Sequence, residues 1–337
     1  KVVKEAPKDE FLKTLTMFFF DNKTDNSDLD WLQFGIPSAC YYTLQHEKVI
    51  VMYKPYSPGK ANRLNIPNTL KKKITNQQNK DYWVSGSILD HSDGHCIRTE
   101  LYDAKLGKLL QTREFIGDNI FTIIDNIALQ IRYDLGIPSS HIESTDSLSI
   151  SDNYTNNIKA FELYMISKFE IQKGMKISKE SLKSLIDSLE EILKYDKEFA
   201  LIHLDLFQIH LFTGFDDQMK ENLEKAMRLL HKFPEPLQYE TKGNYFRFVE
   251  KNPEKTIKLF ELWTKLQPHN IKAHKELAEA YEGIRDLDKS LEQALIVFSM
   301  TPSDFSILSD IVDIYITKNN FEDAKKILKD FGTKYPD

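Results

Sequence analysis

The spacing of prolines in the C-terminal part constrains the fold of this chain more than any other feature. Pro234, Pro268, Pro302 and Pro336 follow one another at intervals of 34 residues. Proline disfavours helical geometry in the residue before it, so prolines at a fixed interval end a helix at the same point of each unit. A unit of this length accommodates two helices, and one such pair cannot bury its apolar face alone. The spacing therefore predicts helical hairpins that stack and share one core.

Other positions follow the same interval. Leu277 and Ile311 are apolar and one period apart, while Ser290 and Ala324 are small residues one period apart. Small side chains are expected where two helix axes approach closely. We predict five helix pairs, at 156–196, 198–234, 237–268, 271–302 and 305–336. The third pair departs from this pattern. Gly243 stands where the repeat usually has a large packing residue, and Trp263 stands where it usually has a small one. The sequence therefore does not predict how this pair packs.

The first 136 residues have a different character. Short apolar runs such as 14–20 alternate with helical stretches, and Ser92-Asp93-Gly94 is typical of a hairpin turn between two strands. Residues 137–155 are rich in serine and aspartate and read as a linker. We predict an α+β chain of two domains. These are a small α/β domain with a mixed sheet over 1–136, a linker over 137–155, and an all-α superhelix of repeats over 156–337.

Composition narrows the classes of function. The formal net charge is -6, which disfavours a general nucleic-acid binder because phosphate neutralisation requires a basic surface. No apolar run of about 18 residues is present, and residues 1–10 lack the apolar stretch of a signal peptide. The chain is therefore expected to be either cytoplasmic or a soluble part of an anchored protein. Cys40 and Cys96 are either two reduced thiols or one disulfide, and both readings stay open.

The sequence holds no convincing catalytic or metal motif. His91 and His95 are separated by a turn and lack a third ligand at suitable spacing. The run 21–25 begins like a calcium loop, but Asn26 and Leu32 stand where such a loop requires glycine and glutamate. A glycine-rich phosphate loop and a nucleophile elbow are also missing. We therefore expect no enzymatic activity, no catalytic residue, no metal site and no cofactor.

Three stretches of the first domain carry a family resemblance. They are 18–24 followed by Leu-Asp-Trp-Leu at 29–32 and Gly35, the strand motif at 80–87, and the Leu-x-Asp-Ala-x-x-Gly hairpin at 101–107. In this order they resemble the TolB-N-like (FlgO-like) α/β domain of bacterial signalling proteins. The motif Ala-Phe-Glu-Leu-Tyr at 160–164 is similar to the opening of the tetratricopeptide (TPR) repeats that commonly follow that domain.

The resemblance implies a role in signalling. In that family the tandem is usually the sensory half of a membrane protein, as in CadC-type transcription regulators, class III nucleotidyl cyclases and Ser/Thr kinases. It implies an extracytoplasmic, periplasmic module that binds a partner or ligand and relays the event to an effector domain absent from this sequence. Contact with nucleic acid would then be indirect, and membrane attachment would need an anchor outside the sequence. The alternative is a constitutive TPR adaptor without sensing, and a cytoplasmic location also stays open.

The predicted partner site is the groove lined by the first helix of each hairpin. Counting along the 34-residue register places the following residues on it: Tyr245, Phe248, Lys275, Glu279, Glu282, Ser309 and Asp313. Mixed charge with two aromatics suits an extended peptide or a partner helix. The alternative is that these are ordinary solvent-exposed residues without a role in binding. A small ligand between the domains and a homodimer are further partners that this interpretation admits, whereas the effector type and the ligand cannot be predicted.

Overall fold

The computed structural model describes residues 12–45, 47, 49–56, 66–144, 149–172 and 178–335. These residues form two compact units that divide at Gln238 and Tyr239. Pro336, the last proline of the 34-residue series, lies outside the described residues.

The strands and helices follow one another as the sequence patterns predict, with sheet first and hairpins after. The strands are β1 (Lys13–Phe18), β2 (Asp21–Asn22), β3 (Ile50–Tyr56), β4 (Tyr82–Leu89), β5 (His95–Asp103) and β6 (Lys108–Gly117). The helices are α1 (Leu32–Leu44), α2 (Asn68–Gln77), α3 (Ile120–Asp134), α4 (Ser139–Ser144), α5 (Ile150–Asn153), α6 (Ile158–Gln172), α7 (Lys179–Tyr195), α8 (Ala200–Thr213), α9 (Asp216–Arg228), α10 (Glu235–Asn244), α11 (Pro253–Leu266), α12 (Ile271–Gly283), α13 (Leu287–Met300), α14 (Phe305–Thr317) and α15 (Phe321–Lys334).

The first unit contains one mixed sheet, as predicted. Its strand order is β3-β1-β4-β5-β6, with β2 beside β4. The pairs of β1 with β3 and β4 are parallel, and the pairs of β5 with β4 and β6 are antiparallel. The central strand β1 buries Leu15, Met17 and Phe18 completely, as expected of a parallel strand covered on both faces. Helix α2 packs on Phe18, Trp83 and Tyr102, while α1 and α3 pack together.

The segment predicted as a linker, 137–155, contains buried side chains among its described residues. Ile150 and Tyr154 are fully buried, and the Tyr154 ring meets the ring of Phe161 edge-on at 5.3 Å. The serine and aspartate content that suggested a linker serves another purpose. Ser149 and Asp152 form a capping box that satisfies the free backbone amides at the start of α5. Residues 145–148 lie outside the described part.

The predicted domain boundary also differs from the division into compact units. Helices α6 to α9 belong to the same unit as the sheet. The reason is aromatic packing between α1 and α6. Phe169 stacks on Phe34 at 5.6 Å between ring centroids, and Trp31 meets Phe161 at 5.6 Å. This burial joins the first two hairpins to the α/β part.

The second unit repeats its local structure at the predicted interval. Each turn between the two helices of a hairpin contains one residue with positive φ, namely Lys251, Arg285 and Asn319. The next residue then caps the second helix with its side chain, namely Asn252, Asp286 and Asn320. Both series are spaced 34 residues apart, so the period confirms three structurally equivalent hairpins. The predicted fold class, a small mixed α/β part followed by TPR-like helical hairpins, is confirmed.

The hairpin of α10 and α11 departs from the others through one compensated exchange of size. A Cβ atom on Gly243 would lie 2.1 Å from Cζ of Phe260, and Phe260 is completely buried. In the next hairpin the corresponding residues are Leu277 and Ala294, both buried. Where α12 carries the large residue and α13 the small one, α10 carries the small residue and α11 the large one. This exchange conserves core volume, which explains how Gly243 is accommodated.

Candidate partner-binding surface

The first helices of the three hairpins in the second unit contact one another through charged side chains. Helix α12 begins after the side chain of Asn270 caps it, and α14 begins after Asp304 does the same. The caps satisfy free backbone amides at the start of each helix. The shared surface, which we call the A face, consists of Arg247, Lys272, Lys275, Glu276, Glu279, Asp304 and Asp310.

Arg247 joins the first two of these helices. It stands in a π-helical turn, Tyr245–Val249, that continues α10. Its Nη1 lies 3.3 Å from Oε2 of Glu279 and 3.7 Å from Oε2 of Glu276, both on α12. Its guanidinium also lies 5.8 Å from the ring centroid of Phe248. The π turn therefore carries the cation that ties α10 to α12.

Lys272 makes the second link between the same helices. Its Nζ is 2.8 Å from Oε1 of Glu276 and 3.5 Å from Oε1 of Glu240. Burial opposes the charged ammonium, but the carboxylates of Glu240 and Glu276 outweigh burial and raise the pKa of Lys272. Lys272 thus stays charged at neutral pH and partly neutralises the buried Glu276.

Towards α14 the carboxylates are less well compensated. Nζ of Lys275 lies 3.9 Å from Oδ2 of Asp304. Partial burial raises the pKa of Asp310; Lys275 opposes this rise, while Asp313 and Asp304 add to it. Burial by the surrounding protein raises the pKa of Glu279 and Glu276 adds to the rise, while Arg247 and Lys272 oppose it. The Glu279 side chain is nevertheless 60% exposed and pairs with Arg247. Burial is the main cause of both shifts, so the excess of negative charge rests on the residues themselves: the A face carries four carboxylates (Glu276, Glu279, Asp304 and Asp310) and three cations.

The structure places two of the predicted site residues on the A face and the others beside it. Lys275 and Glu279 lie on the A face and pair with side chains of neighbouring helices. Tyr245 and Phe248 are half-buried in the π-helical turn. The remaining predicted residues have exposed side chains on α12 and α14, namely Glu282, Ser309 and Asp313.

The sequence register missed several residues of the A face. Lys272 and Glu276 precede Lys275 and Glu279 by three positions, so helical spacing alone would have placed them on the same face. Arg247 could not be found that way. It aligns with Tyr281 at the 34-residue interval, which is a buried packing position.

Several other predictions concern sites outside the A face. Cys40 and Cys96 are free, buried thiols, which settles the open question of a disulfide. Within the described ranges no group of three or more His, Cys, Asp or Glu side chains is arranged to hold a metal ion. None of the described helices is both long and apolar enough to cross a bilayer.

Comparison with known proteins gives distant structural likenesses only. No protein-family model matches the chain, and no curated protein matches it. MamA from Desulfovibrio magneticus RS-1, from residue 41 to its end, is 16% identical over 52% of this chain and 93% of that one, with a TM-score of 0.36. YrrB, described as a TPR protein with an unusual peptide-binding site, is 16% identical over 53% and 87%, with a TM-score of 0.33.

PilW, described as a widely conserved type IV pilus biogenesis factor, is 12% identical over 54% of this chain and 80% of that one, with a TM-score of 0.42. These TM-scores are low. The helical hairpins of the chain itself, and not these likenesses, are therefore the basis for describing its C-terminal part as TPR-like.

Proposed function

We propose that the second unit binds an extended, positively charged peptide segment of a protein partner along the A face. The observation that carries the proposal is the excess of carboxylates on successive first helices. Burial is the main cause of the raised pKa values of Glu279 and Asp310, and the neighbouring carboxylates of Glu276, Asp304 and Asp313 add to it. A lysine or arginine side chain placed beside them would lower these pKa values and relieve the repulsion.

The arrangement suits a peptide rather than a compact ligand. The carboxylates are distributed over α12 and α14 and over the turn before α14, so a chain crossing these helices meets one after another. Glu279 and Asp313 have exposed side chains that are accessible without breaking the buried contacts of Glu276. Charge complementarity of this kind selects the partner and speeds its association.

The experiment compares binding of a short lysine-rich peptide with that of a glutamate-rich peptide of equal length, by fluorescence anisotropy. We expect the lysine-rich peptide to bind more tightly, and its affinity to fall with added salt because exposed charges are screened. Glu279→Lys should weaken its binding by roughly tenfold, which corresponds to the loss of an attraction and the gain of a repulsion. Glu254→Lys on α11 is the matched control, because Glu254 is an exposed glutamate whose ion pair in the described part of the chain, with Lys258, lies within its own helix. Equal binding of both peptides, or equal effects of the two variants, would refute the proposal.

The wider role that we propose is sensory. The module would capture its partner on the extracytoplasmic side of a membrane and relay the event to an effector, without enzymatic activity of its own. The alternative is a constitutive adaptor, in the cytoplasm or elsewhere. Hydrogen exchange separates the two roles. A sensor should change protection in the α/β part when the lysine-rich peptide binds, whereas an adaptor should change it only near the A face.

A further inference from the structure

The face of β4 on which α2 packs buries two polar atoms without a partner. Trp83 and Ser85 stand two residues apart on this strand and therefore share that face. Trp83 is 1% and Ser85 is 3% accessible to solvent. In the described part of the chain, indole Nε1 of Trp83 and Oγ of Ser85 form no hydrogen bond. Buried polar groups are nearly always satisfied, so two neighbouring exceptions point to a ligand that they bind.

The strand register places charged residues around Ser85 on the same face. Ser85 lies opposite Glu100 on β5, and Ser87 lies opposite Asp21 on β2. Continuing the register of β1 and β4 by one residue sets Phe18 beside Ser85 on its other side. This polar area lies near the carboxyl ends of the parallel strands β1 and β4, and ligands of open α/β sheets bind at that edge.

Helix α2 places a cation over this area. Lys71 is only 6% accessible, and its Nζ lies 5.7 Å from the ring centroid of Phe18. Burial lowers the pKa of Lys71, and the carboxylates of Asp21 and Glu100 oppose that shift. Burial likewise raises the pKa of Asp21, and Lys71 is the strongest opposing charge. Among the described residues no ion pair joins Lys71 to either carboxylate, so these charges influence one another without direct contact.

A chain of hydrogen bonds orients the second carboxylate. The side-chain amide of Asn68 on α2 donates to the hydroxyl of Tyr102 at 3.0 Å, and that hydroxyl donates to Oε2 of Glu100 at 2.9 Å. The Tyr102 ring also stacks on Trp83, with 4.8 Å between ring centroids. Asn68 and Lys71 are three residues apart and share one face of α2. The helix therefore positions a cation and a fixed carboxylate on the two sides of Ser85.

We propose that these residues, which we call the α2 site, bind a free α-amino acid. Lys71 and the hydroxyl of Ser85 bind its carboxylate, and the indole N–H of Trp83 is a further donor on the same face. Asp21 and Glu100 bind its ammonium group. A carboxylate alone would be repelled by Asp21 and Glu100, and an amine alone would leave Lys71 buried without a counter-charge. The α2 site therefore favours a small molecule that carries both charges.

The first test titrates the whole chain with glycine and follows the indole N–H signals by NMR. Every α-amino acid contains the charged groups of glycine, so glycine tests the proposed contacts without assuming a side chain. The chain has three tryptophans, and Trp83→Phe identifies the signal of Trp83. We expect glycine to shift this signal saturably, and acetate and methylamine, with one charge each, to bind at least roughly tenfold more weakly. A signal that glycine does not shift, or that acetate shifts at equal concentration, would overturn the proposal.

The second test locates the bound glycine with substitutions. Lys71→Met keeps the apolar stem and removes the charge, so it should weaken glycine binding by roughly tenfold. Lys73→Met is the matched control, because Lys73 is an exposed lysine of the same helix and should leave the affinity unchanged.

A smaller change guards against an effect of Lys71→Met on the fold. Ser85→Ala removes only a hydroxyl group and should weaken glycine binding by about threefold or more. Circular dichroism checks that each variant keeps its helices. Unchanged affinity in Ser85→Ala, or equal losses in Lys71→Met and Lys73→Met, would show that glycine binds elsewhere on the chain.

Discussion

His203 and His274 make the same pair of contacts at equivalent points of two helical hairpins. In each case ring Nε2 lies near the backbone carbonyl six residues earlier, and ring Nδ1 lies near the side-chain amide oxygen nineteen residues later. The contacts are 3.4 Å to Lys197 and 3.3 Å to Asn222 for His203, and 3.0 Å to Pro268 and 2.7 Å to Gln293 for His274. In each hairpin one histidine thus links the backbone just before the first helix to a side chain of the second helix. This arrangement occurs in both units of the chain.

Removing this tie should destabilise the second unit. His274→Ala leaves the carbonyl of Pro268 and the side-chain amide of Gln293, both in half-buried residues, without their partner, at a cost of about 1–3 kcal/mol. His231→Ala is the control, since His231 is exposed and should change the free energy of unfolding by less than about 0.5 kcal/mol. Urea unfolding followed by circular dichroism measures both. Equal effects of the two substitutions would show that the contacts of His274 contribute little.

The equivalent histidine of the first unit should make its stability depend on pH. Burial lowers the pKa of His203 below its ordinary value of 6.5, against the opposing hydrogen bonds to Asn222 and Lys197. The unfolded chain then binds a proton more readily than the folded chain, so the contribution of His203 to stability is complete above about pH 6.5 and is lost as the pH falls below it.

The variant His203→Gln isolates this contribution. The difference in free energy of unfolding between the unsubstituted chain and the variant should stay constant down to about pH 6.5 and shrink as the pH is lowered from there to about 5. A difference that stays constant across this range would mean that burial does not shift the titration of His203.

The close packing of Gly243 on Phe260 predicts a sharp difference between two glycine substitutions. Gly243→Ala forces a methyl group into the Phe260 ring and should cost about 1–3 kcal/mol or more. Gly283→Ala, at the end of α12, meets nothing within 4 Å and should be neutral or stabilising by up to about 1 kcal/mol. Thermal unfolding of both variants checks the contrast.

A double-mutant cycle tests whether the Phe260 ring causes the cost. Phe260→Ala alone removes a buried ring and should destabilise by about 3–5 kcal/mol. In the double variant with Gly243→Ala, the methyl group no longer meets the ring, so the combined cost should be clearly less than the sum of the two single costs. Additive costs would place the strain elsewhere.

The buried thiol of Cys40 should resist alkylation in the native state. Burial and the nearby Asp125 raise its pKa, and only the thiolate reacts readily. Cys96 is also buried. Mass spectrometry after iodoacetamide treatment should find neither cysteine modified in buffer and both modified in denaturant. Rapid modification of Cys40 in buffer would show that α1 opens from α3 far more often than its packing suggests.

The sequence predicted some contacts and not others, for identifiable reasons. The capping residues Asn252, Asp286 and Asn320 act within a few positions along the chain, so a regular spacing is enough to reveal them. The compensation between Gly243 and Phe260 joins two helices, and a pattern that treats each helix separately reads only a missing large residue. The ion pairs of Arg247 could not be predicted for the same reason, since they depend on a π-helical turn that the period does not signal.

The segment 137–155 also shows the difference between what composition indicates and what packing determines. Its serine and aspartate are common in linkers and equally common at helix starts, and composition cannot separate these uses. Only the fold shows that Ile150 and Tyr154 are buried and that α5 contacts the distant helices α1 and α3.

Local sequence patterns in this chain determine the order of its elements, the mixed sheet followed by hairpins, and the interval of the repeats. Turn geometry and apolar periodicity act over a few residues and hardly depend on the rest of the fold. Only the folded chain shows that α6 to α9 group with the sheet and which ion pairs form the A face. It also shows that Phe321 and Leu328 on α15 are exposed. They depend on which distant side chains meet, and that is settled by the packing of the whole unit.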